Sequence, residues 1–182
     1  MAVSIFPAIT PNDRDPVEWD NSVALLKKYH IKKFILCPEH WEAYRNVKLD
    51  WKKVRFVAAE MKKKLPEKPG LYSFLLQPNV GGHNSIHFLL YIGETTKQTL
   101  RERCTDYLPE AKKKKARVTI RSMVRKWPKH LWVYFAAVDD VKIIKQLEED
   151  LLKAYVPPFN QRFTAKVGKA ENLEGALKEV FE

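Results

Sequence analysis

Two periodicities divide the chain. From Leu71 to Leu76 and from Ile86 to Ile92 the residues are aromatic and aliphatic, with the turn-forming run PNVGGHN between them. That pattern predicts a β-hairpin with a long loop. Leu131–Val138 predicts a third strand, and Lys33–Leu36 a short one ended by Cys37-Pro38. The remaining apolar residues follow a helical period. Asp15-Pro16-Val17-Glu18 reads as a helix start, with an N-cap, a proline in the first turn and an acid behind it, and that helix runs to about Tyr29. Asp50 caps a second helix, Trp51 to Lys64, stopped before Pro66. Thr96 caps a third, reaching about Leu108, and a fourth covers Ala116–Trp127 up to Pro128. Asp139-Asp140 caps a fifth from Val141 to Tyr155. Leu173, Ala176, Leu177, Val180 and Phe181 keep helical spacing in the tail, which predicts a short amphipathic helix.

Charged residues that fall on apolar faces stand out from this pattern. Val141, Ile144, Leu147, Leu151, Leu152 and Tyr155 form one stripe, and at about 100° per residue Glu148 lands inside it while Glu149 lands outside. A carboxylate there costs free energy unless it is paired or binds a cation, so Glu148 is either half of an ion pair, for example with Arg103, or a metal ligand. Arg103 shares a helix face with Leu100, Cys104 and Tyr107, and a cation on such a face also needs a partner or a task. Lys114, Arg117, Arg121 and Arg125 fall on a stripe opposite Ile120, Met123, Val124 and Trp127, which gives the fourth helix a cationic edge. That edge is either a solvated face or a surface that tracks a phosphate backbone. Tyr72 and Tyr91 meet across the hairpin, and as residues alone they read as core tyrosines with hydrogen-bonded hydroxyls. Trp19, Trp41 and Trp51 are packing residues ahead of base-stacking ones. His83 and His87 read as polar loop residues ahead of metal ligands.

Composition narrows the partner. The 182 residues are 45% hydrophobic and carry a formal net charge of +11, with an isoelectric point near 9.6. Such a balance points to a polyanion, nucleic acid before an anionic membrane. No apolar run reaches membrane-spanning length, and the first residues carry no basic leader followed by a long apolar stretch. Cys37 and Cys104 show neither close pairing nor metal-type spacing, which predicts reduced thiols and a cytoplasmic location.

Five segments then fall in a telling order: Gly70-Leu71-Tyr72, Tyr91-Ile92-Gly93, LRER at 100–103, the Glu148 helix, and Pro157-Pro158-Phe159-Asn160. Together they resemble the GIY-YIG nuclease family over about Pro69 to Phe163. The resemblance implies an α/β (α+β) domain with a small, mainly antiparallel three-stranded sheet flanked by helices. It implies residues 67–163 as the nuclease domain, and leaves outside the match 1–66, read as a helical extension packed on or beside the core, and 164–182, read as an amphipathic tail. The extension would shape the substrate groove, form a dimer contact or brace the sheet.

The implied activity is metal-dependent endonucleolytic hydrolysis of DNA, double-stranded ahead of single-stranded, without a membrane partner. A single Mg²⁺ or Mn²⁺ would sit on Glu148, Arg103 would hold the phosphate with Arg101 as the fallback, and Tyr72 or Tyr91 would orient or deprotonate water, with Tyr72 favoured. Gly93, Tyr107 and Asn160 would lie at the substrate, with Asn160 touching phosphate, tying the chain end to the active-site loop or merely making a turn. Lys114, Arg117, Arg121 and Arg125 would follow the backbone. Glu94 departs from the pattern, since many members carry a basic residue after the second tripeptide. The alternative is a nucleic-acid-binding module that keeps the fold without the chemistry.

Overall fold

A computed structural model of the chain describes residues 38–112 and 118–160. The expected Asp15–Tyr29 helix, the Lys33–Leu36 strand, the tail helix, Trp19, Cys37, Lys114 and Arg117 lie outside those residues. The described part is α+β: four antiparallel strands flanked by helices. Helix α1 is Pro38–Tyr44, strand β1 Lys52–Arg55 and helix α2 Ala58–Lys64. Strands β2 (Gly70–Leu76) and β3 (Phe88–Thr95) form the hairpin, whose loop holds a short 3-10 turn at Val80–Gly82. Helix α3 is Leu100–Thr105, α4 Val118–Lys126, β4 Leu131–Ala137 and α5 Val141–Tyr155. The strand order is β1-β4-β2-β3. No helix among the described residues is long and apolar enough to cross a membrane.

The sheet has four strands rather than the expected three, because part of the Trp51–Lys64 stretch is extended. Val54 and Phe56, two residues apart, turn inward with 0% and 8% exposure while Lys53 and Arg55 face out. This alternation lets Lys52–Arg55 pair with β4, and Phe56 donates its N–H to the Leu131 carbonyl at 2.9 Å. Helix α2 is what remains of the expected helix, and Leu65 ends it.

Both faces of the sheet are covered. On one, Tyr72, Phe74, Val133 and Phe135 pack under Met61 of α2, Cys104 of α3 and Met123 of α4. On the other, Leu71 packs against Ile144 and Leu147 of α5, with Trp51 alongside. Trp41 donates its indole N–H to the Ala154 carbonyl, which fixes α1 on α5. The apolar stripe of α5 is exposed at its two ends, Val141 and Tyr155, and buried along its middle at Ile144 and Leu152.

Three features of β2 and β3 shape the site. Gly70 runs so close to β4 that a Cβ would lie 2.2 Å from the Ala136 carbonyl oxygen, so only glycine fits. A bulge between the Phe74 and Leu75 pairings leaves Leu90 as an extra residue on β3. Leu90 and Tyr91 consequently both join the Tyr72 side of the sheet, and bulges re-aim side chains in just this way. The third feature is the outer edge of β3. Phe159 donates its N–H to Leu90 O at 2.9 Å, and the Asn160 side chain accepts from Ile92 N at 2.9 Å and donates to Ile92 O at 2.8 Å. The segment after α5 therefore completes the pairing of an otherwise open edge.

Candidate active site

Gly93 is the pivot. It pairs with Tyr72 across β2–β3, and a Cβ on it would sit 2.6 Å from both Cζ and Oη of Tyr72 and 2.9 Å from Cε1 of Tyr91. The missing side chain lets the Tyr72 phenol lie across the strand. Tyr72 and Tyr91 stand with ring centroids 6.3 Å apart.

Helix α3 brings the arginine. Thr99 caps it, not Thr96, through a reciprocal box with Glu102 that the sequence T-L-R-E already spells. The helix stops at Thr105 rather than Leu108, and a 3-10 turn containing Pro109 follows. Arg103 donates from Nε to Tyr72 Oη at 3.2 Å and lies over the Tyr107 ring at 5.3 Å. The Tyr72 and Tyr107 hydroxyls share a hydrogen bond of 2.6 Å. Burial works against the Arg103 charge, but the Tyr72, Tyr107 and Tyr91 phenols outweigh it and hold the guanidinium firmly protonated.

The same contacts decide what the tyrosines can do. Tyr72 is fully buried, and burial, reinforced by Tyr107 and Tyr91, pushes its phenol well above the ordinary tyrosine range. Such a group stays protonated at neutral pH and does not face water. Tyr107 is equally buried, so it holds Tyr72 and Arg103 rather than lying at a substrate. Tyr91 keeps partial exposure. Arg101 is committed elsewhere: its Nε donates to Leu65 O at 2.9 Å and its Nη1 pairs with Glu67. It ties α3 to the loop before β2.

Glu148 arrives from the other face. Its position on α5 is half-buried and that of Glu149 exposed, as the spacing predicts. The backbone N–H of Glu94, the residue after Gly93, favours the ionised form of Glu148. Burial raises the Glu148 carboxyl to about 7, the Glu94 carboxylate adds to the rise, and Arg103 and the Glu94 N–H oppose it. Arg103 thus acts electrostatically on Glu148.

Glu94 is the residue that sequence reasoning noticed only as a departure. One of its carboxylate oxygens, Oε2, is enclosed and meets no hydrogen-bond donor. Among the described residues no three His, Cys, Asp or Glu side chains converge as a metal cluster. A hard cation at Glu148 would therefore take most of its oxygens from water and substrate, which suits Mg²⁺ or Mn²⁺. The enclosed oxygen of Glu94 beside Glu148 fits such an ion. His83 and His87 do not join this group; both are exposed, and the His87 ring meets Tyr134 at 6.0 Å. Arg121 and Arg125 border a shallow concavity on α4 with Ser122 and Lys126.

No protein-family model matches the chain, and no curated protein matches it.

Proposed function

We propose that the chain is a metal-dependent phosphodiesterase acting on DNA. More particularly, the order of its motifs and the way they meet around Gly93 support a GIY-YIG-type endonuclease. The observation that carries the reading is the meeting at one strand edge of a fixed guanidinium, a partly exposed phenol and a half-buried carboxylate. Arg103, held by Tyr72 and Tyr107, presents its free nitrogens to a phosphate and offsets the charge that develops on it. Tyr91, rather than the sealed Tyr72, orients the attacking water, since it alone of the three tyrosines keeps exposure. Tyr72 and Tyr107 act as positioning residues. Glu148 holds the cation, which when bound supplies positive charge at the leaving oxygen. Asn160 locks β3 so that Gly93 and Glu94 keep their places. Arg121 and Arg125 offer charge to the flanking backbone.

A plasmid-nicking assay in Mg²⁺ tests the reading. The parent protein should cut, and Glu148→Ala should lose at least about a hundredfold in rate, as removal of a group acting at the reacting centre does. Tyr91→Phe should lower the rate more than Tyr72→Phe. Equal cutting by the parent and Glu148→Ala would remove the carboxylate from the chemistry. Duplex binding without cleavage on several substrates would instead mark a binding module that keeps the fold.

A further inference from the structure

We propose that Glu94 joins Glu148 as a second carboxylate ligand, so that the free protein holds one divalent cation, Mg²⁺ or Mn²⁺, before any nucleic acid arrives. The inference rests on the preceding reading in placing a cation on Glu148, and it adds a ligand that the family resemblance does not supply.

The placement follows from the register. Glu94 pairs with Leu71, and Leu71 packs beneath α5, so the Glu94 side chain lies on the α5 face of the sheet. Glu148 comes down on that face, where the Glu94 backbone N–H favours its ionised form. The Glu94 carboxylate lies close enough to oppose the charge of Glu148. An independent observation separates this pair from a chance gathering of acids. Oε2 of Glu94 has lost its water and gained no donor in return, among the described residues. A carboxylate oxygen sealed in that way is destabilising unless something positive meets it.

Three things could meet it. A basic side chain is one, but Arg103, the cation that acts on Glu148, spends its Nε on Tyr72 and, in the preceding reading, its other nitrogens on the phosphate. A proton shared between the two carboxylates is the second. A hard divalent ion is the third, and it alone answers both carboxylates at once while keeping open positions for water and phosphate oxygens.

Titrating the full-length protein with Mn²⁺, with free Mn²⁺ read by electron paramagnetic resonance and no nucleic acid present, tests the proposal. The parent should bind one Mn²⁺. Glu94→Gln should weaken that binding by about tenfold or more, and Glu148→Gln by at least as much. A smaller change in Glu94→Gln overturns the proposal, as does a parent that takes up no Mn²⁺ at millimolar concentration. A shared proton would give the second result near neutral pH. Thermal melting in metal-free buffer guards against misfolding, and Glu94→Lys provides a second arm. It should abolish Mn²⁺ binding yet melt above the parent, because it replaces repulsion with an ion pair; a lower melting temperature counts against the proposal. The two readings fail differently. DNA nicking with unchanged Mn²⁺ affinity in Glu94→Gln keeps the nuclease and removes Glu94 from the site. Mn²⁺ binding that needs both carboxylates, in a protein that cuts nothing, keeps the ion site and removes the nuclease.

Discussion

Gly93 and Glu148 carry most of the consequences at the scale of single residues. A methyl group at position 93 would meet the Tyr72 ring and hydroxyl at 2.6 Å, inside any real contact distance. Tyr72 cannot swing away freely, because its hydroxyl is bonded to both Tyr107 and Arg103. Gly93→Ala should therefore destabilise the protein by roughly 1–3 kcal/mol in urea unfolding, the usual range for overpacking. It should also displace Arg103 and lower the nicking rate by on the order of a hundredfold. For Glu148 the sign of the pH effect follows from its raised carboxyl. The folded protein keeps the proton to about 7, whereas an ordinary carboxyl of 4.5 releases it earlier. Between those values the folded state binds more protons than the unfolded state, so stability falls as pH rises through the window and levels off above it. Glu148→Gln should remove that fall. In metal-free buffer it should melt above the parent at about pH 8 and close to it at about pH 4. Added Mg²⁺ should raise the melting temperature of the parent at the higher pH and leave the variant unchanged. Helical spacing was enough to single out Glu148 and Arg103, because one carboxylate and one guanidinium interrupt otherwise apolar faces. It could not rank Tyr72 against Tyr91, since burial of a phenol depends on which helices cover the sheet. Nor could it reveal the enclosed oxygen of Glu94, which exists only once β3 and α5 meet.

At the scale of elements, the outer edge of β3 is the most informative part. Edge strands usually leave a row of unpaired groups, and here Phe159 and Asn160 satisfy part of that row. Asn160→Leu keeps much of the side-chain volume but strands one N–H and one C=O of Ile92, which is only 2% exposed. Loss of stability by about 1–3 kcal/mol for each stranded group is expected in denaturant titration. The cut in nicking rate should exceed what the unfolded fraction explains, because Gly93 and Glu94 follow directly. The α5 helix and its proline-containing exit were legible in the sequence, since a strong 3.6-residue period, an Asp cap and a proline stop all agree there. The β1 strand was not. Its four residues, Lys52–Arg55, are short and mostly charged, and the helix-forming run behind them extends the wrong pattern backwards. Only pairing with β4 selects the extended form. The N-cap of α3 lies three residues after the expected Thr96 cap, because only Thr99 has a glutamate three positions on to close a capping box.

For the whole molecule, charge and core act on different properties. The net charge of +11 governs encounter with a polyanion and its dependence on salt, not the fold. Replacing Arg121 and Arg125 together with alanine should reduce the slope of log affinity against log salt by about two, close to one per phosphate contact. A slope equal to that of the parent would place the DNA path elsewhere. The core also contains a chemical reporter. Cys104 is fully buried beneath α3, one residue from Arg103, and burial raises its thiol far out of the reactive range. Alkylation must then wait until the helix lifts from the sheet, so the labelling rate of Cys104 in a Cys37→Ser background becomes a clock for opening of the arginine-bearing helix. A phosphate-rich ligand that grips Arg103 should slow that clock, and the ratio of rates gives the coupling between ligand and closure without any turnover being measured.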